Sequence, residues 1–127
     1  MRVFLSVLAA TCLLSFVTVA SLADDKDTPT SVTGILIDQA CGAKMMDKDD
    51  PEKAAADHPK SCAMKEACEK SGYAVISGKK MWKFNAKGNI LAKDYLKKTD
   101  KTSDIRVKVD GVQKGDEIEV DAITVAK

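Results

Sequence analysis

Ile105, Val107 and Val109 alternate with Arg106, Lys108 and Asp110, and beyond a turn at Gly111 to Gly115 the alternation resumes with Ile118 and Val120 between Glu117, Glu119 and Asp121. A two-residue period puts the apolar side chains on one face, so the stretch predicts two half-buried antiparallel strands. The phase slips once: Val120 and Ala122 keep one parity, Ile123 and Val125 the other, which predicts a bulge near Asp121 to Ile123.

The rest of the chain fits around this pair. Val32 to Ile37 has strand propensity, with Gly34 able to host a bulge. Tyr73 to Ser77 and Met81 to Asn85 flank the turn Gly78-Lys79-Lys80 as a hairpin, and Ala86 to Asn89 breaks the pattern. Ile90 to Lys98 places Leu91, Ala92, Tyr95 and Leu96 on one helical face. Three strands, a helix and two strands is the order of a five-stranded barrel of the oligonucleotide/oligosaccharide-binding (OB) type. The expected class is α+β, mainly β, an OB-like barrel with a helix between strands three and four; an α+β roll fits the same elements.

Between the first two strands lies a segment rich in Cys and His. Gln39 to Lys48 has no clear period. Asp50-Pro51-Glu52 supplies a cap, a first-turn Pro and a first-turn acid, predicting a short helix over Pro51 to Asp57. Pro59 opens a second helix through Cys62 and Cys68, stopping near Ser71-Gly72.

Residues 1–23 read as an export signal: Arg2, the apolar run Val3 to Ala20, then Ser21-Leu22-Ala23 before the acidic Asp24-Asp25. Cleavage before Asp24 is expected, giving a periplasmic or secreted protein with no membrane span after processing. Cys12 is a poor lipidation site, because it sits mid-run after Thr11. Residues 24–31 read as a flexible lead-in, and 32–127 as one domain. The chain has 20 Lys and Arg against 19 Asp and Glu, and losing Arg2 makes it neutral. Nothing in that balance recruits nucleic acid or an anionic membrane. Beyond the leader the aromatics are Tyr73, Trp82, Phe84 and Tyr95. A core so short of rings gains from covalent or metal support.

The pattern Val32-Thr33-Gly34, Leu36-Ile37-Asp38, Cys41-Gly42, His58 with Cys62-Ala63, Cys68, Gly72-Tyr73 and Val107-Lys108-Val109 to Gly111 resembles an uncharacterised family of small exported bacterial proteins. The likeness spans nearly the whole mature chain. It implies a barrel-like fold and a shared Cys/His segment.

Cys41, His58, Cys62 and Cys68 are the candidate chemistry. Export permits disulfides, but three mature cysteines leave an odd thiol. In one regular helix Cys62 and Cys68 would stand roughly 9 Å apart along the axis, too far to bridge. A bridge from Cys41 to either would close a loop of about 20 residues and stabilise by roughly 3 kcal/mol. Alternatively, the four side chains form a metal site, with His58 and Cys62 at i, i+4. Three thiolates and an imidazole suit tetrahedral zinc, while the nearby Met45, Met46 and Met64 would add thioethers suited to Cu(I) unless they fill the core. Thiol redox chemistry would rest on Cys62, at a helix start but without an adjacent resolving thiol.

Other groupings are weaker. Asp57, His58 and Ser61 are too close in sequence for a relay triad. Asp47, Asp49 and Asp50 lack the Gly and terminal Glu of a calcium loop. Tyr73, Trp82 and Phe84, with Lys80 and Lys83, suggest either a ligand-stacking face or, more simply, core. No catalytic residue is assigned. The sequence thus points to a cell-envelope binding module, stapled by a disulfide and able to take zinc or copper, with a thiol redox protein or a purely structural protein as rivals.

Overall fold

A computed structural model describes residues 27–127. The expected leader 1–23, its cleavage point before Asp24, Cys12 and the start of the lead-in lie outside the described residues. Among the described residues no helix is long and apolar enough to cross a membrane.

The chain is α+β. Five strands, β1 (Thr28–Asp38), β2 (Tyr73–Ser77), β3 (Lys80–Phe84), β4 (Arg106–Lys114) and β5 (Glu117–Val125), make one closed sheet in the order β1-β2-β3-β5-β4. Closure depends on β1, which pairs antiparallel with β4 through Thr28 to Ile35 and with β2 through Ile35 to Asp38. A short parallel contact, Lys83 opposite Glu117 and Phe84 opposite Ile118, joins β3 to β5. Every strand therefore has two neighbours.

The barrel-type period drives the core. Leu36, Tyr73, Val75, Phe84, Val107, Val109, Ile118 and Val120 turn inward and are buried together. On β1 and β2 the alternate residues are buried too, because Ile35, Ile37 and Ile76 face outward into a second cluster with Ala55, against which Cys41, Met45, Met46 and Met81 pack. The helices between β1 and β2 cover that outer face. Strand β1 is accordingly buried without a break from Gly34 to Asp38.

Several expectations are corrected. Strand β1 starts at Thr28, so Thr28 to Ser31, expected as flexible lead-in, pair with Gln113 to Asp110. Pro29 is tolerated near the strand start, where a missing donor costs least. Gly34 hosts no bulge; pairing runs through it, and a Cβ there would collide with the Ile76 carbonyl. The Gly111 turn is displaced: β4 continues to Lys114. The predicted bulge does occur, since Asp110 faces Ala122 while Gly111 faces Val120, leaving Asp121 unmatched.

Helix α5 (Ala86–Lys98) starts four residues earlier than the periodicity suggests. Asn85 caps it, its Oδ1 accepting from the N–H of Gly88 (2.9 Å) and of Val120 (3.2 Å). Gly88 is there for closeness: a Cβ would come within 2.6 Å of Val120 Cγ2. The expected face, Ala92 and Leu96 with Leu91 and Tyr95 beside them, packs on the core.

Of the candidate ligand face, Tyr73 and Phe84 are buried in the core. Trp82 is half-buried, packed on the interior cluster with Lys80 Nζ 3.8 Å from its ring centre.

Candidate metal centre

Four short helices connect β1 to β2: α1 (Gln39–Met45), α2 (Pro51–Ala56), α3 (Lys60–Ala63) and α4 (Glu66–Ser71). None is long enough to be stable by itself in water, and the hydrophobic side chains this connection buries fully are Ala55 and Ala63. Its polar groups do the holding. Asp38, at the end of β1, caps α1 by accepting the Cys41 N–H at Oδ2 (2.9 Å). Asp50 caps α2 through the Lys53 N–H, as its place before Pro51 predicts. Ser71 accepts from the Ala40 N–H and donates to the Cys68 carbonyl (2.6 Å), and the Gln39 N–H donates to the Gly72 carbonyl (2.8 Å). Those bonds fasten the start of α1 to the end of α4.

The single helix expected from Pro59 to Ser71 is broken. It ends after Ala63, Lys65 is extended, and α4 starts afresh at Glu66. Tyr73 supplies a reason: its buried hydroxyl donates to the Ala63 carbonyl (3.1 Å), the acceptor that residue 67 would use if the helix continued. The break folds Cys68 back toward Cys62. As a result the sulfurs of Cys41, Cys62 and Cys68 all lie within 4.8 Å of one another.

Among the described residues no disulfide is present, and Cys41, Cys62 and Cys68 are free, half-buried thiols. In place of the expected bridge from Cys41 the three sulfurs form a cluster. Ligands about 2.3 Å from a tetrahedral ion stand roughly 3.8 Å apart, so the cluster can close on a metal with sub-ångström adjustments.

His58 does not join the sulfurs as a fourth corner. It lies in the turn before α3, not on it, and the i, i+4 convergence with Cys62 is lost. Instead its side chain groups with Asp38 and Cys41, again within 4.8 Å. The two sets share Cys41. Asp38 is fully buried and His58 is 8% exposed at the side chain, and Oδ1 of one faces Nε2 of the other at 3.9 Å. That is too long for a hydrogen bond, and among the described residues neither atom has another partner.

Electrostatics follow from this burial. Desolvation first, then the Asp38 carboxylate, push the Cys41 thiol up to about 12. The same two causes raise Cys68. Burial holds His58 below the usual imidazole range although Asp38 pulls the other way, so near neutral pH the ring is uncharged, the form that ligates metals. Without a metal, Cys41 and Cys68 are thus protonated thiols beside a neutral imidazole.

Asp38 is the residue that sequence reasoning passes over. A lone acid at a strand end reads as a cap, which it is; its second oxygen is the surprise. The other candidate groupings do not assemble: Asp57 is exposed and pairs with Lys53 (3.4 Å), Ser61 is exposed, and Asp47 and Asp49 are exposed. Comparison with protein-family models, with curated proteins and with solved structures gives no match.

Proposed function

We propose that the protein is an exported metal-binding module of the cell envelope, an OB-like barrel whose β1–β2 connection carries a zinc site built on Cys41, Cys62 and Cys68. The observation that carries this is the convergence of three sulfurs from three separate helices in a connection with almost no hydrophobic core of its own. A bound ion would tie these helices to one another, as structural zinc does in small domains. The strand order with β3 parallel to β5, and a helix between β3 and β4, supports the OB-like reading.

Zinc is favoured over Cu(I) because the methionines that would recommend copper are packing groups. Met45, Met46 and Met81 lie on the outer cluster and Met64 on the interior one. At Cys41 and Cys68 thiol redox catalysis is disfavoured by charge: reactive thiols are stabilised as thiolates by nearby cations, whereas here burial and a carboxylate raise both.

Metal analysis and native mass spectrometry of the protein isolated from the periplasmic fraction test the reading. Bound zinc that is lost in Cys62→Ser is the expected result, with a mature N-terminus at Asp24. A protein that stays metal-free after dialysis against micromolar zinc refutes the site.

A further inference from the structure

The two ligand sets are not equivalent, and the buried pair Asp38 and His58 is unexplained by a three-sulfur site alone. We infer that the cluster holds two divalent ions of the zinc class, one on Cys41, Cys62 and Cys68 and the other on Asp38, Cys41 and His58, with the Cys41 thiolate bridging them. The inference rests on the metal-binding reading and adds a second centre to it.

Three observations support it. Geometry comes first: two ligand atoms each about 2.0–2.1 Å from a tetrahedral ion stand roughly 3.4 Å apart, and Asp38 Oδ1 and His58 Nε2, separated by 3.9 Å, need to close by only about half an ångström. Satisfaction comes second. Both atoms are buried and unpartnered among the described residues, a costly state that a shared cation relieves. Charge comes third: three thiolates and a carboxylate carry four negative charges, of which one divalent ion neutralises half and two neutralise all. Beside the buried Asp38 carboxylate, residual charge is expensive. Cys41 is the residue common to both sets, which makes its thiolate the bridge.

The experiment is a zinc titration of the reduced, metal-free exported protein under argon, followed by native mass spectrometry, with Co2+ substitution to read thiolate charge-transfer bands. Wild type is expected to saturate with two ions. His58→Ala and Asp38→Asn should each saturate with one and keep the sulfur-to-cobalt bands, with far-ultraviolet circular dichroism checking the fold and His58→Gln serving if His58→Ala fails to fold. Saturation of wild type with one ion overturns the second centre, as does a His58→Ala protein that still takes two. If His58→Ala removes the sole ion, the site is mononuclear with a histidine ligand and the metal-binding function stands. If wild type takes none, both readings fall.

Discussion

Exchanging Asp38 for Asn replaces one carboxyl oxygen by an NH2 group and leaves the shape alone, so its effect isolates what the unpartnered oxygen is for. The Asn oxygen can still accept the Cys41 N–H, now bonded to Asp38 Oδ2 at 2.9 Å, and Asn is as good a helix cap as Asp. The other arm, Oδ1 in the native protein, faces His58 Nε2 across 3.9 Å with no partner among the described residues. As an NH2 it becomes a donor that a shift of under about 1 Å brings within hydrogen-bond reach of the ring. In chelator, relief of one unsatisfied buried group is worth about 1–3 kcal/mol, and each kcal/mol moves the melting temperature of a domain this size by roughly 4–8 °C. Asp38→Asn should therefore melt higher than wild type in EDTA. With zinc the balance moves the other way, because a ligand is lost: at free zinc a hundredfold above the dissociation constant, the forfeited stabilisation is about 2.7 kcal/mol, which cancels or outweighs that gain. Melting both proteins by circular dichroism in EDTA and in buffered zinc reads the two shifts directly. An advantage for Asp38→Asn that is as large in zinc as in EDTA refutes the idea that this oxygen is held for a metal.

Two further outcomes concern the scaffold. Asn85→Ala removes the acceptor for both Gly88 and Val120 N–H groups and should lower stability by about 1–2 kcal/mol, seen as a lower urea midpoint at unchanged slope. Glu52 is held below its ordinary value of 4.5 by the Arg106 guanidinium and then by the Gly78 N–H; a depressed carboxylate stabilises above its unfolded value and loses that contribution as pH falls through the folded one. Urea midpoints measured from pH 7 to pH 3 should fall in the acid range for wild type and fall less for Glu52→Gln.

Where a single face of an element meets the core, the sequence was enough to locate it. The strands around Val107 and Ile118, the bulge at Asp121 and the buried face of α5 all carry period-two or helical patterns that burial imposes. The patterns fail where contact is made by something other than a large apolar side chain. Helix α1 has no apolar period because the residue it buries is Gly42, beneath Met81. The break at Met64 and Lys65 is invisible locally, since its cause is the Tyr73 hydroxyl arriving from β2. The cysteines could be named as a group, but not sorted: the sorting depends on that break and on Asp38, whose burial comes from helices packed over β1.

The pairing of β1 with β4 has a consequence for how the chain comes together. Thr28 meets Gln113 and Ile35 meets Arg106, so the first of the described strands waits for the fourth. Loop closure of that span is slow compared with forming the hairpins. Until the C-terminal ribbon emerges, the leading strand has half its amides unmatched, and a product truncated before Arg106 has no route to the native ring.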